Sequence, residues 1–368
     1  MIYLDNNATT RVDEAVLAAM SPYYTTLYGN AHASHLLGRR AHEAVEGARA
    51  EVASLIGAEA DEVVFTSCGT EGNALVIRGL IDGDGSRRKI VTTAVEHPSV
   101  FLLLRALEAR GLIELAIAGV DAEGAIDLDA MRSAIDDRTL LVTVMLAQNE
   151  TGVIHPIAEI SEMAHERGAL IHVDAVQAAG KIAVDARALG ADFLTISGHK
   201  FHAPKGVGAL AIRRGLKLTP LWYGGGQELG LRSGTEPVPT IAGFGTAARL
   251  AREHLSAFDG VRALRDRFES SLRNADVHSA AQPRLPNTSS VTFRDVDASA
   301  VFQALDAAEI CVSGGGACFS GITQPTPTMI AMGKPAAVRF SLSRLTTGDE
   351  IDATIAALER MRETSPRG

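Results

Sequence analysis

Lys200 and Asp174 stand at or near the ends of two apolar runs, ADFLTISG followed by His199-Lys200, and ALIHVDAVQ. A lysine and an aspartate at neighbouring strand ends suit pyridoxal 5'-phosphate: the amine can hold the cofactor aldehyde as a Schiff base. The carboxylate keeps the pyridine nitrogen protonated, so that the ring accepts electrons. A lone lysine beside a turn is ordinarily solvated, so its neighbours must decide. Five strand ends in succession carry functional groups: Thr70, His97, Asn149, Asp174 with Gln177, and Ser197-His199-Lys200. Ligands of open α/β sheets bind outside the carboxyl ends of strands. Five coincident ends are hard to explain as structural punctuation.

Each group has a chemical role and an ordinary alternative. In FTSCGTEGN, Gly69 gives a tight turn and Thr70 opens a helix, so free N–H groups and the helix dipole face an anion, the cofactor phosphate. A plain helix cap has the same spelling. His97, in VEHP, can stack over the ring and relay protons, or it can cap a helix. Asn149 and Gln177 can donate to the ring hydroxyl, and Ser197 and His199 can add phosphate contacts. Asp174, at the end of an apolar strand, needs a charged or hydrogen-bonded partner.

Two glycine-rich stretches lie downstream. YGGGQELGLRSGTEPVP (223–239) reads as a loop able to approach a ligand or a second subunit closely. VSGGGACFSG (312–321) carries Cys318, whereas Cys311 sits in the apolar run EICV. Cys318 is therefore the candidate working thiol.

The elements that must position these groups alternate. Strands are predicted at 62–67, 89–95, 139–146, 169–175, 192–197 and 208–213, with helices at 99–111 and 156–168 between them. That pattern is an α/β fold with a largely parallel sheet covered by helices. After about residue 250 the texture changes to one long helical stretch, AREHLSAFDGVRALRDRFESSLRN, then strands at 289–295 and 337–343 with a helix in DASAVFQALDAAE. The expected division is a large domain over 13–250 and a smaller α+β domain over 251–368, joined by residues 1–12.

Composition is that of a globular protein rather than a disordered or fibrous one: 368 residues, 46% hydrophobic, 21% charged and 35 glycines. The net charge of −9 argues against a nucleic-acid or membrane-surface binder. MIYLDNNATT lacks the features of a secretory leader, and no apolar run would span a bilayer, so a cytoplasmic location is expected. Three cysteines, Cys68, Cys311 and Cys318, are too few for a disulfide framework.

Taken in order, YLDNNATT, FTSCGTEGN, VEHP, QNETG, HVDAVQAAGK, SGHKFHAPKGVGAL, GGGQELGLRSGTEPV, GGACFSG and VRFSLSRLTT resemble the cysteine desulfurases of the NifS/IscS type, on the class V aminotransferase fold. The resemblance implies fold type I, with a seven-stranded sheet in the large domain. It implies Lys200 as the Schiff-base lysine, Asp174 as the pyridine-nitrogen partner and His97 as the stacking acid/base residue. Gly69, Thr70, Ser197 and His199 match phosphate-binding positions, and Asn149 and Gln177 match contacts to the ring hydroxyl. Thr235 matches a threonine that reaches the partner subunit's phosphate, which implies a homodimer. Arg339 matches the arginine that grips the substrate carboxylate, and Cys318 matches the sulfur-accepting nucleophile.

The implied reaction converts L-cysteine to L-alanine, with the sulfur held as a persulfide on Cys318 and passed to an acceptor protein, such as an iron–sulfur scaffold or a thiolation enzyme. The sequence departs from the family where Gly315-Gly316-Ala317-Cys318-Phe319 and Pro325-Thr326-Pro327-Thr328-Met329 stand, at Asn30-Ala31-His32-Ala33, and at Cys68, a usual glycine position. Selenocysteine lyase or another β-eliminating activity is the nearest alternative. A non-catalytic scaffold, and a metal hydrolase built on His172, Asp174 and His199, are more distant ones.

Overall fold

The computed structural model describes residues 1–83, 85–314 and 324–364. Among these residues twelve strands run in chain order: β1 (Ile2–Tyr3), β2 (Val63–Thr66), β3 (Lys89–Thr93), β4 (Glu114–Ala118), β5 (Thr139–Met145), β6 (Leu170–Asp174), β7 (Phe193–Ser197), β8 (Gly208–Ile212), β9 (Ala275–Val277), β10 (Thr288–Phe293), β11 (Ile310–Cys311) and β12 (Val338–Ser341). Seven of them form one sheet in the order β2-β8-β7-β6-β5-β3-β4, in which β8 alone runs antiparallel to its neighbours. This is the mostly parallel α/β sheet of fold type I. Its central strands are buried along their length, as β-branched runs covered on both faces must be.

Two apolar cores flank this sheet, one centred on Phe244, Val173 and Ile196, the other on Leu75, Leu104 and Phe193. A third core, with Phe268, Phe340 and Leu4, gathers around the three-stranded sheet β12-β10-β9. The amino-terminal segment joins that third core, because β1 pairs in parallel with β11.

Two details differ from the sequence expectation. Strand β4 was not anticipated: ELAIA is short, lies at the sheet edge and is half exposed, so it lacks a clean apolar run. The single helix expected over 251–274 is two helices, Val238–Glu253 and Ala257–Ser271. The first begins after Pro237, which closes the preceding glycine-rich loop, and the chain turns at 254–256 before the second. That loop is also pinned: Arg49 grips both carboxylate oxygens of Glu228, which accepts the Phe65 N–H as well.

Candidate active site

A cavity of about 290 Å³ opens at the carboxyl ends of β3, β5, β6 and β7. Gly69, Thr70, His97, Asn149, Asp174, Gln177, Ser197, His199, Lys200 and Arg339 all line it. Thr235 does not; it is exposed on the loop that follows Arg232. Cys318 lies outside the described residues.

The anion seat follows from backbone geometry. Helix Gly69–Ile81 starts directly after β2, and a Cβ on Gly69 would lie 2.7 Å from Val176 Cγ2, so only glycine allows this approach. The Ser197 hydroxyl is buried and has no hydrogen-bond partner. An unpartnered hydroxyl beside a helix start is what a phosphate would satisfy. His199 shares this end, and burial, reinforced by Lys200, Lys205 and Lys181, pushes it down to about 4. Its imidazole is therefore neutral near pH 7.

At the other end, Asp174 accepts hydrogen bonds from Asn73 Nδ2 (2.8 Å) and the Val176 N–H (3.0 Å). These bonds set a proton order across the site. Because a carboxylate only accepts, Asn73 must present its nitrogen, and the same nitrogen donates to Ser99 Oγ at 3.0 Å. The Ser99 hydroxyl then gives its own hydrogen to His97 Nδ1 (2.8 Å), which also accepts the Ser99 N–H at 3.1 Å. His97 thus caps helix Pro98–Ala109 through Nδ1. Burial holds it below its ordinary value, with Asp174 opposing and Lys200 adding to the effect, so the neutral ring carries its proton on Nε2. Capping and cavity-facing roles coexist in one residue.

Lys200 Nζ donates to the carbonyls of Asn7 (2.6 Å) and Ala8 (2.8 Å). Arg339, on β12, is buried; it donates to the Asn149 carbonyl at 2.9 Å and to Asp5 Oδ1 at 2.7 Å. The lysine and the arginine therefore reach one cavity from different sheets. Next to Arg339, Thr326 Oγ1 donates to Glu150 Oε2 (2.5 Å) and Gln148 Nε2 donates to Thr328 Oγ1 (3.0 Å). The unusual threonines of the PTPT segment thus fasten it to the cavity wall.

His172 is a structural residue. Its two ring nitrogens pair with the hydroxyls of Thr143 (2.8 Å) and Thr195 (3.0 Å), and burial pushes it down to about 4. Four participants were missed in the sequence: Asn7, Asn73, Glu96 and Lys181. Asn73 alone left a signal, standing one helical turn beyond Gly69 in FTSCGTEGN.

The residues present fit pyridoxal phosphate: an anion seat with an unsatisfied hydroxyl, a hydrogen-bonded carboxylate and a lysine amine share one cavity of suitable size. The class V aminotransferase family matches residues 2–354. Cysteine desulfurase 2 of Trichormus variabilis is 45% identical over 379 aligned residues, covering 100% of this chain and 95% of that protein. Among solved structures, a NifS-like protein gives a TM-score of 0.93 at 36% identity, covering 99% of this chain and 100% of that one. SspA in complex with cysteine gives 0.84 at 31% identity, covering 94% and 100%.

Proposed function

The chain belongs to the class V aminotransferase family, and from that premise we propose that it is a pyridoxal-phosphate-dependent cysteine desulfurase. The observation that carries this reading is the convergence of Lys200, Asp174, His97 and Arg339 with an anion seat on one cavity. When bound, the cofactor supplies an acceptor for the electron pair left as the substrate Cα–H bond breaks.

The remaining work falls to the protein. Gly69, Thr70, Ser197 and His199 would hold the phosphate, Asp174 the ring nitrogen, and Asn149 and Gln177 the ring hydroxyl. Lys200 would anchor the cofactor through its amine and move the Cα proton, with His97 Nε2 as a second proton carrier lining the same cavity. Arg339 takes the substrate carboxylate by a two-pronged contact. Cys318 as thiolate attacks the substrate sulfur: the Cβ–S bond breaks, an S–S bond forms on the enzyme, and the carbon skeleton leaves as alanine after protonation.

Thr235, exposed on its loop with Tyr223 and Leu229, suits a homodimer in which it reaches the partner's cavity. Among the described residues no helix is long and apolar enough to cross a membrane. The free thiols of Cys68 and Cys311 suit a reducing, cytoplasmic setting. The persulfide would pass to an acceptor protein of iron–sulfur assembly or thiolation.

The test is incubation with L-cysteine, measuring alanine and protein-bound persulfide together. Equal early amounts of both, with persulfide abolished by Cys318→Ala, are expected. Undiminished desulfuration in that variant would replace the reading with a lyase that needs no thiol.

A further inference from the structure

Lys181 is a buried lysine that the reaction does not use. It is 4% exposed, and among the described residues no carboxylate lies within ion-pair distance of it. Its amine donates to Gln177 Oε1 at 2.7 Å and to Asn7 Oδ1 at 3.0 Å.

Both acceptors are fixed as oxygens by independent backbone carbonyls. Gln177 Nε2 donates to the Asn7 carbonyl at 2.9 Å, so its oxygen must face Lys181. Asn287 Nδ2 donates to the Leu342 carbonyl and to Asn7 Oδ1, both at 3.0 Å, so the Asn7 oxygen is fixed too. Lys181 then needs only two hydrogens, which a neutral amine supplies. Burial, with Lys200 and Arg339 as neighbouring cations, pushes Lys181 well below the usual lysine range, and the network works without its charge.

The Gln177 amide is thereby gripped at both ends. One N–H goes to Asn7, and the other is left for the cavity that Gln177 lines. We propose that Lys181 is a positioning residue that locks the Gln177 amide with its second N–H aimed at the cofactor ring hydroxyl. This inference rests on the reading of the cavity as a pyridoxal phosphate site. A donor at the ring oxygen stabilises negative charge there and lowers the basicity of the nitrogen that joins cofactor to Lys200. Losing the lock leaves the Gln177 oxygen buried and unpaired and lets the amide rotate.

The experiment is a pH titration of the visible absorption band of the bound cofactor, in the purified holoenzyme without substrate. Lys181→Met should move the midpoint to higher pH by roughly tenfold in proton concentration, equivalent to about 1.4 kcal/mol. In a Gln177→Ala background the same substitution should move it no further. Lys181→Gln, which restores a donor without a charge, should titrate within about threefold of the unmodified enzyme.

An unchanged midpoint in Lys181→Met, or the same displacement with Gln177 absent, overturns the assignment. So do equal displacements in the Met and Gln variants, which would show that charge alone matters. Should Lys181→Met not fold, the Gln variant decides alone, a tenfold displacement refuting the proposal. An unmodified protein that forms no visible band with added pyridoxal phosphate would sink the cofactor reading itself, a result separable from these.

Discussion

Glu96 offers a prediction whose size follows from burial. Its side chain lines the cavity, accepting the Thr93 hydroxyl (2.6 Å) and the Met145 N–H (3.1 Å) through Oε1, while Oε2 is buried without a partner. Burial, with Asp174 adding to it, raises its carboxyl from 4.5 to about 8. The folded protein therefore holds a proton that the unfolded chain releases above about 4.5. Stability contributed by this group is fully present below that pH, is lost as pH rises toward 8, and is level beyond it.

The gap between the two values corresponds to about 5 kcal/mol as a ceiling. Water entering the open cavity weakens burial, and about half of that is a fair expectation. With unfolding entropy of about 2.1 cal/mol/K per residue, a chain of this length loses roughly 0.8 kcal/mol per kelvin, so about 2.5 kcal/mol is some 3 °C in Tm. Glu96→Gln keeps the Oε1 acceptor and places a neutral amide where the protonated oxygen stood. In cofactor-free protein, the Tm difference between Glu96→Gln and the unmodified chain should be near zero at pH 5. It should grow to about 3 °C in favour of the variant at pH 8.5. Taking the difference between the two proteins cancels the other titrating groups. A difference independent of pH across that range would refute the argument.

Three further outcomes follow from single contacts. Asn73→Ala removes one of the two donors to Asp174 and disconnects Ser99 from it; a hydrogen bond to a charged group is worth about 1.5–3 kcal/mol, so pyridoxal phosphate affinity should fall roughly tenfold, read by equilibrium dialysis. Arg339→Lys loses the planar fork, and KM for cysteine should rise about tenfold or more with a smaller change in kcat, together with a lower Tm from the lost Asp5 and Asn149 contacts. Asn7→Ala strips buried partners from Lys181, Asn287 and Thr288 at once, so Tm should fall by more than for either neighbour changed singly, as differential scanning fluorimetry would show.

The central sheet was legible because each inner strand is covered on both faces, and such strands spell short, mostly apolar runs such as LIHVD and FLTIS. What failed was marginal in a physical sense. The edge strand Glu114–Ala118 has little burial to enforce a pattern, and β1 and β11 are two-residue pairs that exist only because distant segments meet. The break between helices at 254–256 carries neither glycine nor proline, so nothing local announced it.

Within the site the division is sharper. Gly69, Asp174, Ser197 and Lys200 were legible as cavity-lining residues because strand ends concentrate ligand-facing groups. Asn7, Glu96 and Lys181 were not, although Asn7 and Glu96 line the same cavity and Lys181 donates to Gln177 at its wall. Lys181 faces Asn7, and Asn7 faces Asn287, so the direction of each amide is fixed by residues 174 and 280 positions away along the chain. Hydrogen-bond polarity belongs to the contact rather than to the residue. Asn7 has an ordinary spelling in YLDNNATT, yet its carbonyl receives both Lys200 and Gln177 while its side chain meets Thr288 on β10. One asparagine thus ties Lys200 to the sheet that carries Arg339. A change in how the small sheet packs would consequently be felt at Lys200 through Asn7, before any substrate is bound.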